Sequence, residues 1–289
     1  MSATRFVTPP SVAEVVEVLG RAAADGEEAR IVAGGTALML LTKYGFYNPE
    51  LLVSLRGSRA ELLGVSHDAA GMTVGALVTL ADLQRASGSI GLNGLRMAAG
   101  QIANPRIRSV ATLGGHLAHA DPHMDLPPAL LAFEAMVTVT GRHGVRGLQI
   151  DELITGYYET SLTDDEVITA MRVPPTDEHT RSVYLKHTAR SADDWPAVGV
   201  AAVARRDGKR LLSVTVALGA VESRPRRLTA VEGHVLATGG AHLDARREAA
   251  ELAVQGLEPL ADLHGSADYK AEMVRVHVRR ALDSVLGGR

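Results

Sequence analysis

The chain has 289 residues, 46% apolar and 22% charged, with a net charge of −3 at neutral pH and no cysteine. That length predicts two domains or one elaborate one, and the composition is that of an ordinary globular protein. The missing cysteine excludes disulfides, thiolate catalysis and a cysteine-ligated iron–sulfur cluster on this chain. Basic residues are dispersed, and the one cluster, SRPRRL at 223–228, is short and lacks aromatics, which argues against nucleic-acid binding. Residues 1–20 carry Glu14 and Glu17 and do not read as a signal peptide. No apolar run approaches the ~18 residues of a membrane span, so a cytoplasmic protein is expected.

A helix is predicted from Ser11, with a capping box to Glu14 and with Val12, Val15, Val16 and Leu19 on one face. Residues 31–33 read as a strand, then Gly34-Gly35, then a helix over 37–43. Strands follow at 50–55 and 72–76 and a helix near 80–87, so the first sixty residues alternate as a small α/β unit does. Residues 95–132 are rich in Ala, Gly and Pro and contain a second glycine pair. Strands are expected at 135–141 and 166–174, and Pro174-Pro175 with the polar 176–181 reads as a linker. Beyond it, two β-rich runs joined by Asp207-Gly208 signal a hairpin. Helices are predicted near 228–237, 244–257 and 268–286, the last with Val274, Val278, Ala281 and Val285 in register. The second part is therefore an α+β domain, a sheet followed by helices.

Glycine pairs fall at 34–35, 114–115, 239–240 and 287–288, about as many as a glycine-rich chain produces by chance. Context separates the first two, and the pair at 239–240 reads as a helix C-cap. Gly34-Gly35 lies between a strand and a helix, where free amides favour an anion, and Thr36 adds a hydroxyl at the helix start. TLGG at 112–115 offers the same chemistry again, so two loops could grip the two phosphates of a dinucleotide. G-x-G-x-x-G and the P-loop are absent, as are H-E-x-x-H and G-x-S-x-G, so neither a Rossmann site nor nucleotide hydrolysis has support.

Several long stretches carry a family resemblance: VAGGTALMLL (32–41), QIANPRIRSVATLGGHLAHADPHMDLPPALLA (101–132) and GYYETSLTDDEVITAMRVP (156–174). The second half continues it with YLKHTARSADDWPAVGVAAVA, VALGAVESRPRRL and PLADLHGSADYKAEMVRVHVRRAL. In order and over nearly the whole chain, these resemble the FAD-binding medium subunits of molybdenum hydroxylases, of the carbon monoxide dehydrogenase and xanthine dehydrogenase type. The resemblance implies a two-subdomain FAD domain of the vanillyl-alcohol oxidase type at 1–175, with subdomains at about 1–57 and 58–175. A C-terminal flavoprotein domain at 180–289 would follow. It also implies non-covalent FAD, held at the pyrophosphate by Ala33, Gly34, Gly35, Thr36, Ala37 and Leu38. Thr112, Gly114, Gly115 and His116 would form the second loop, with His119 nearby. Asp125 matches an aspartate that hydrogen-bonds the dinucleotide, Lys186 a basic position near the flavin, and Trp195 an aromatic position.

By the same resemblance, electrons come from a molybdopterin large subunit through a small [2Fe–2S] subunit to this FAD, and leave to an external acceptor. The alternative is a stand-alone flavoenzyme acting directly on a small molecule. The family usually has Asn or Ser at His116, and Asn at His119 and Ser109, and the two histidines mildly favour that alternative. His116, His119 and His123 with Asp121 and Asp125 also suggest a metal, but Pro122 denies them a shared helical face, and a flavin loop is the preferred reading. Tyr157-Tyr158 reads as a loop anchor as readily as a stacking pair. Arg108 is expected to bridge to a carboxylate and order the second loop rather than meet a phosphate. Arg224 to Arg227 reads as an exposed charged turn, and Asp193-Asp194 as a solvated one.

Overall fold

The computed structural model describes residues 4–191, 193–240 and 242–287, so Gly288 lies outside the described residues. The chain begins with β1 (Arg5–Val7), α1 (Val12–Asp25), β2 (Ala29–Val32), α2 (Leu38–Lys43) and β3 (Leu51–Ser54). The Ser11 hydroxyl accepts the Glu14 amide and Gly26, in the left-handed region, ends α1. Val12, Val15, Val16 and Leu19 are buried as the spacing requires, against a parallel sheet in the order β1-β3-β2. The helix after the first glycine pair behaves differently. α2 buries none of its residues, and Leu40, Tyr44 and Phe46 are exposed.

Next come α3 (Arg59–Leu62), β4 (Val65–Asp68), β5 (Gly71–Gly75), α4 (Leu80–Ala86), α5 (Asn93–Gly100), α6 (Pro105–Arg108), α7 (Leu113–His119) and α8 (Leu126–Ala132). They are followed by β6 (Met136–Gly141), β7 (Gly144–Gln149), α9 (Ile150–Leu153), β8 (Ile154–Gly156), β9 (Glu159–Thr160) and β10 (Val167–Val173). An antiparallel sheet in the order β4-β5-β10-β6-β7 organises this part. The Ala-, Gly- and Pro-rich stretch at 95–132 is helical where no helix was predicted. Pro127 and Pro128 sit in the first turn of α8, where a missing amide costs nothing, and the whole helix is buried.

The C-terminal part holds β11 (Thr180–His187), β12 (Val198–Asp207), β13 (Arg210–Gly219), β14 (Arg226–Arg227), α10 (Thr229–Thr238), α11 (Leu243–Leu252) and α12 (Ala267–Leu286). The β12–β13 hairpin turns at Gly208, whose φ is +55°, and Gly239 caps α10 in the left-handed region. Val200, Ala202, Val216 and Leu218 face the core under α10 to α12, whereas Ala201 and Ala217 join the large core of the preceding domain. Buried on both faces, β12 reads as a continuous apolar run rather than an alternating one. Small residues let the two domains close up: a side chain on Gly219 would come within 2.7 Å of Pro128. The 174–181 segment is a pinned connection, with Thr176 bonded to the Ile90 carbonyl and Asp177 to Arg205, and its last two residues already belong to β11. Among the described residues, no helix is long and apolar enough to cross a membrane.

Candidate functional site

Residues 33–38 form the turn between β2 and α2. Gly35 has a φ of +70°, a conformation glycine adopts at little cost. A side chain on Gly34 would collide with the Val110 carbonyl and reach within 3.2 Å of the Ala111 Cα, so this turn lies directly on the backbone that leads into the second loop. Among the described residues, none of the six amides from Ala33 to Leu38 finds an acceptor. α2 starts at Leu38, with Ala37 at its cap and no side-chain cap bond, so Thr36 precedes the helix and does not cap it.

The second loop is stitched down instead. Leu113 and Gly114 donate to the carbonyls of Val78 and Ala76. Gly115 donates to the Thr112 hydroxyl at 3.3 Å, which caps α7. Gly114 presses on Ala76, where any side chain would clash, so it shapes the loop. Gly115 faces the first loop, because a Cβ there would lie 3.7 Å from the Ala33 Cβ. The structure thus brings the two glycine loops together, with Gly34 set against Val110, 76 positions away in sequence.

His116 extends from the second loop, and its Nε2 is shielded from solvent with no partner among the described residues. Burial, with His119 next to it, pushes its pKa down to about 4, so the ring is neutral at pH 7. Burial also lowers His119, which lies edge-on to Tyr158 and 4.0 Å from Asp121. Ser109 spends its hydroxyl on the Arg106 carbonyl.

Asp125 and Lys186 come together across the fold. Their side chains are only 3% exposed and they pair with each other at 3.1 Å. Tyr184 donates to the other Asp125 oxygen at 2.7 Å, and Lys186 also donates to the Gln101 carbonyl. Burial outweighs Lys186 and raises the Asp125 pKa to about 6. The pair therefore locks β11 to the start of α8. Trp195 stands on the surface, 44% exposed, its amide on the Asp194 carboxylate.

Arg108 donates to the Ile102 and Ala103 carbonyls at 2.8 and 2.9 Å and ties α6 to the segment before it, which corrects the expected carboxylate bridge. Tyr158 is an anchor: its hydroxyl donates to Asp121 at 2.7 Å. Arg226 pairs with Glu222, and Arg227 with Glu232 and, across the domains, Glu134, so these arginines are committed within the chain. His123 is bonded to Asp121 and Asp125 to Lys186; the described residues hold no group of three or more His, Asp or Glu arranged for a metal. Sequence reasoning missed Tyr184 and Gln101, which no local pattern signals. It also passed over Lys270, fully buried one turn before Val274 on the apolar face of α12. A lysine on an apolar stripe was a readable sign of a buried partner.

Comparison with known proteins agrees with this architecture. Residues 2–176 match the FAD binding domain in molybdopterin dehydrogenase, and residues 183–285 the CO dehydrogenase flavoprotein C-terminal domain. The carbon monoxide dehydrogenase medium chain of Hydrogenophaga pseudoflava is 34% identical over 281 residues, 96% of each chain. The 6-hydroxypseudooxynicotine dehydrogenase complex subunit alpha of Paenarthrobacter nicotinovorans is also 34% identical, covering 96% of this chain and 95% of that one. Among solved structures, carbon monoxide dehydrogenase from Hydrogenophaga pseudoflava superimposes with a TM-score of 0.89 over 98% of this chain and 97% of that one, at 34% identity. Quinoline 2-oxidoreductase from Pseudomonas putida 86 does so with 0.87 over 99% and 97%, at 29% identity. Fold and matches together define an FAD-binding flavoprotein. The chain belongs to the FAD-binding medium subunits of the molybdenum hydroxylase family, and is an FAD-dependent oxidoreductase subunit of a multi-subunit enzyme.

Proposed function

We propose that the two glycine loops hold the FAD pyrophosphate and that the chain passes electrons from a [2Fe–2S] small subunit to an external acceptor. A molybdopterin large subunit would oxidise the substrate. The observation that carries the site assignment is the run of six unspent amides at 33–38, held against the second loop by the Gly34 contact. Such a run suits an anion, because amides turned into a concave loop donate without bringing charge of their own. Gly34 and Gly114 let the two loops pack on Val110 and Ala76, where a side chain would clash, while the amides at 33–38 stay unspent, and the residues present therefore fit the cofactor.

When bound, FAD supplies the redox chemistry; the protein binds, orients and insulates it. In this reading Ala33 to Leu38 grip the phosphates, Thr112 and Gly115 hold the second loop against the first, and neutral His116 offers a hydrogen-bonding nitrogen without positive charge. His119 sits beside them. Asp125 and Lys186, matched by resemblance to positions at the dinucleotide and near the flavin, pair with each other and so also join the two domains, which extend over about 1–175 (subdomains about 1–57 and 58–175) and 180–289. Trp195 is assigned to the cofactor only by its match to the family. The exposed apolar side chains on and just after α2 support a partnered subunit, since a chain acting alone has little use for Leu40, Tyr44 and Phe46 in water. Co-expression with candidate iron–sulfur and molybdopterin subunits tests the reading. Substrate added without oxygen should bleach the flavin band only when the iron–sulfur subunit is present. Bleaching of the lone chain by a small-molecule substrate would establish the stand-alone reading instead.

A further inference from the structure

A second polar network crosses the domain joint, and neither glycine loop contains it. It starts where α7 ends at Ala120, whose φ is +48°. Asp121, 6% exposed, accepts the Tyr158 hydroxyl, the His123 amide and the His123 ring at Nδ1, the last at 3.2 Å. His123 Nε2 reaches across to Asp262 of the C-terminal domain at 2.8 Å. Asp262 in turn accepts from Lys270 at 2.6 Å and from the His264 amide, while Lys270 also donates to the Ala220 carbonyl. The His264 ring packs on His123 with centroids 5.1 Å apart. Thus one imidazole bridges two carboxylates, one on each domain, and is itself shielded, with 13% of its side chain exposed.

We infer that His123 is a positioning residue whose second proton ties the cofactor-proximal loop to the C-terminal domain. Only the imidazolium can donate from both nitrogens. A neutral ring donates to one carboxylate and turns a lone pair on the other, so losing the proton must open the Asp121 side or the Asp262 side. The groups that meet the ring are Asp121, which also contacts His119 and Tyr158, and Asp262 and His264 on the other side, with Lys270 on Asp262. Burial opposes the charge on His123, but the hydrogen bonds to Asp121 and Asp262 outweigh it and raise its pKa above the ordinary value. Asp262 resists protonation too: burial pushes its pKa up, yet Lys270 and His123 bring it down to about 2. Because the folded value for His123 is raised, the tie is complete below the ordinary imidazole pKa and is lost as pH rises through the folded one. Tethering of residues 119–125 to residues 262–270 is thus tightest in mildly acidic solution.

NMR titration of the histidines in the full flavin-loaded chain, with His123 assigned from His123→Gln, tests this directly. A titration above the ordinary imidazole range is expected, and one at or below it overturns the inference. Hydrogen exchange, corrected for its intrinsic pH dependence, gives the second readout at residues 116–125 and 258–266. These segments should open roughly tenfold more readily above the transition, the effect of losing one hydrogen bond to a charged group. The response should vanish in His123→Gln, and its persistence there would also overturn the tie. If that variant fails to fold, Asp262→Asn should lower the His123 pKa in its place. The link to the cofactor rests on the proposed FAD site and is separable. FAD release should quicken with pH in step with exchange; exchange that responds while release does not leaves the tie standing and removes the second loop from the site.

Discussion

Lys186→Met would remove the cation from a pair whose two side chains are each 3% exposed. The Asp125 carboxylate would keep the Tyr184 hydroxyl but lose Lys186 at 3.1 Å, leaving a buried charge largely uncompensated. Breaking such a pair from one side costs about 3–5 kcal/mol. In a chain of this size that is a drop in Tm of roughly 6–10 °C. Asp125→Asn, which strands the ammonium, should cost a similar amount. The double variant should recover most of the loss, since replacing both charges removes both desolvation penalties. The Asp125 pKa is already raised to about 6, so its protonation favours the folded state as pH falls through 6 towards the ordinary carboxylate value. Lys186→Met should therefore be least harmful at acid pH and most harmful above pH 6. Urea unfolding at saturating FAD, followed across that range, measures all three variants. Additive losses in the double variant, or single losses below ~1 kcal/mol, would refute a buried pair. A double variant that regains stability but not FAD affinity would place Asp125 at the dinucleotide as well.

The other predictions concern the second loop. Because burial holds the His116 pKa at about 4, its contribution to stability is present above the ordinary imidazole value and lost as pH falls towards 4. His116→Asn should flatten the acid limb of a Tm-against-pH profile, and an unchanged limb would place the titration elsewhere. Thr112→Ala should cost about 1 kcal/mol through the lost α7 cap and, more tellingly, raise the FAD off-rate. Arg108→Ala frees two carbonyls and should cost about 1–3 kcal/mol, with faster amide exchange at 102–112 as its local signature.

Legibility in the sequence followed solvent exposure. α1 and α12 each carry one apolar stripe facing a sheet, so periodicity found the start of α1 and both ends of α12 within a residue. The β12–β13 hairpin announced itself through Asp207-Gly208, because that turn needs a residue comfortable at positive φ. α5, α7 and α8 stayed hidden: α8 is buried all round, and α5 and α7 are short and fill their buried positions largely with Ala and Gly, which mark the period weakly. β1 is only three residues long, and β11 starts inside a polar run that reads as linker. At the site, the glycine pairs were readable by their setting although their number meant nothing. Their contact, Gly34 on Val110, was not, because it depends on a backbone approach between distant segments. Asp125 and Lys186 were picked out by resemblance, yet their mutual pairing across 61 positions leaves no trace in either local sequence.

The central claim is that the 33–38 turn holds FAD, and the flavin content of Gly35→Val tests it most directly. A branched side chain at a φ of +70° must distort this turn, and the strain of about 1–2 kcal/mol is small enough for the chain to stay folded. The expected result is a folded chain, with wild-type circular dichroism, that purifies without FAD and does not take it up on titration. Stoichiometric, tightly held flavin in that variant would contradict the account.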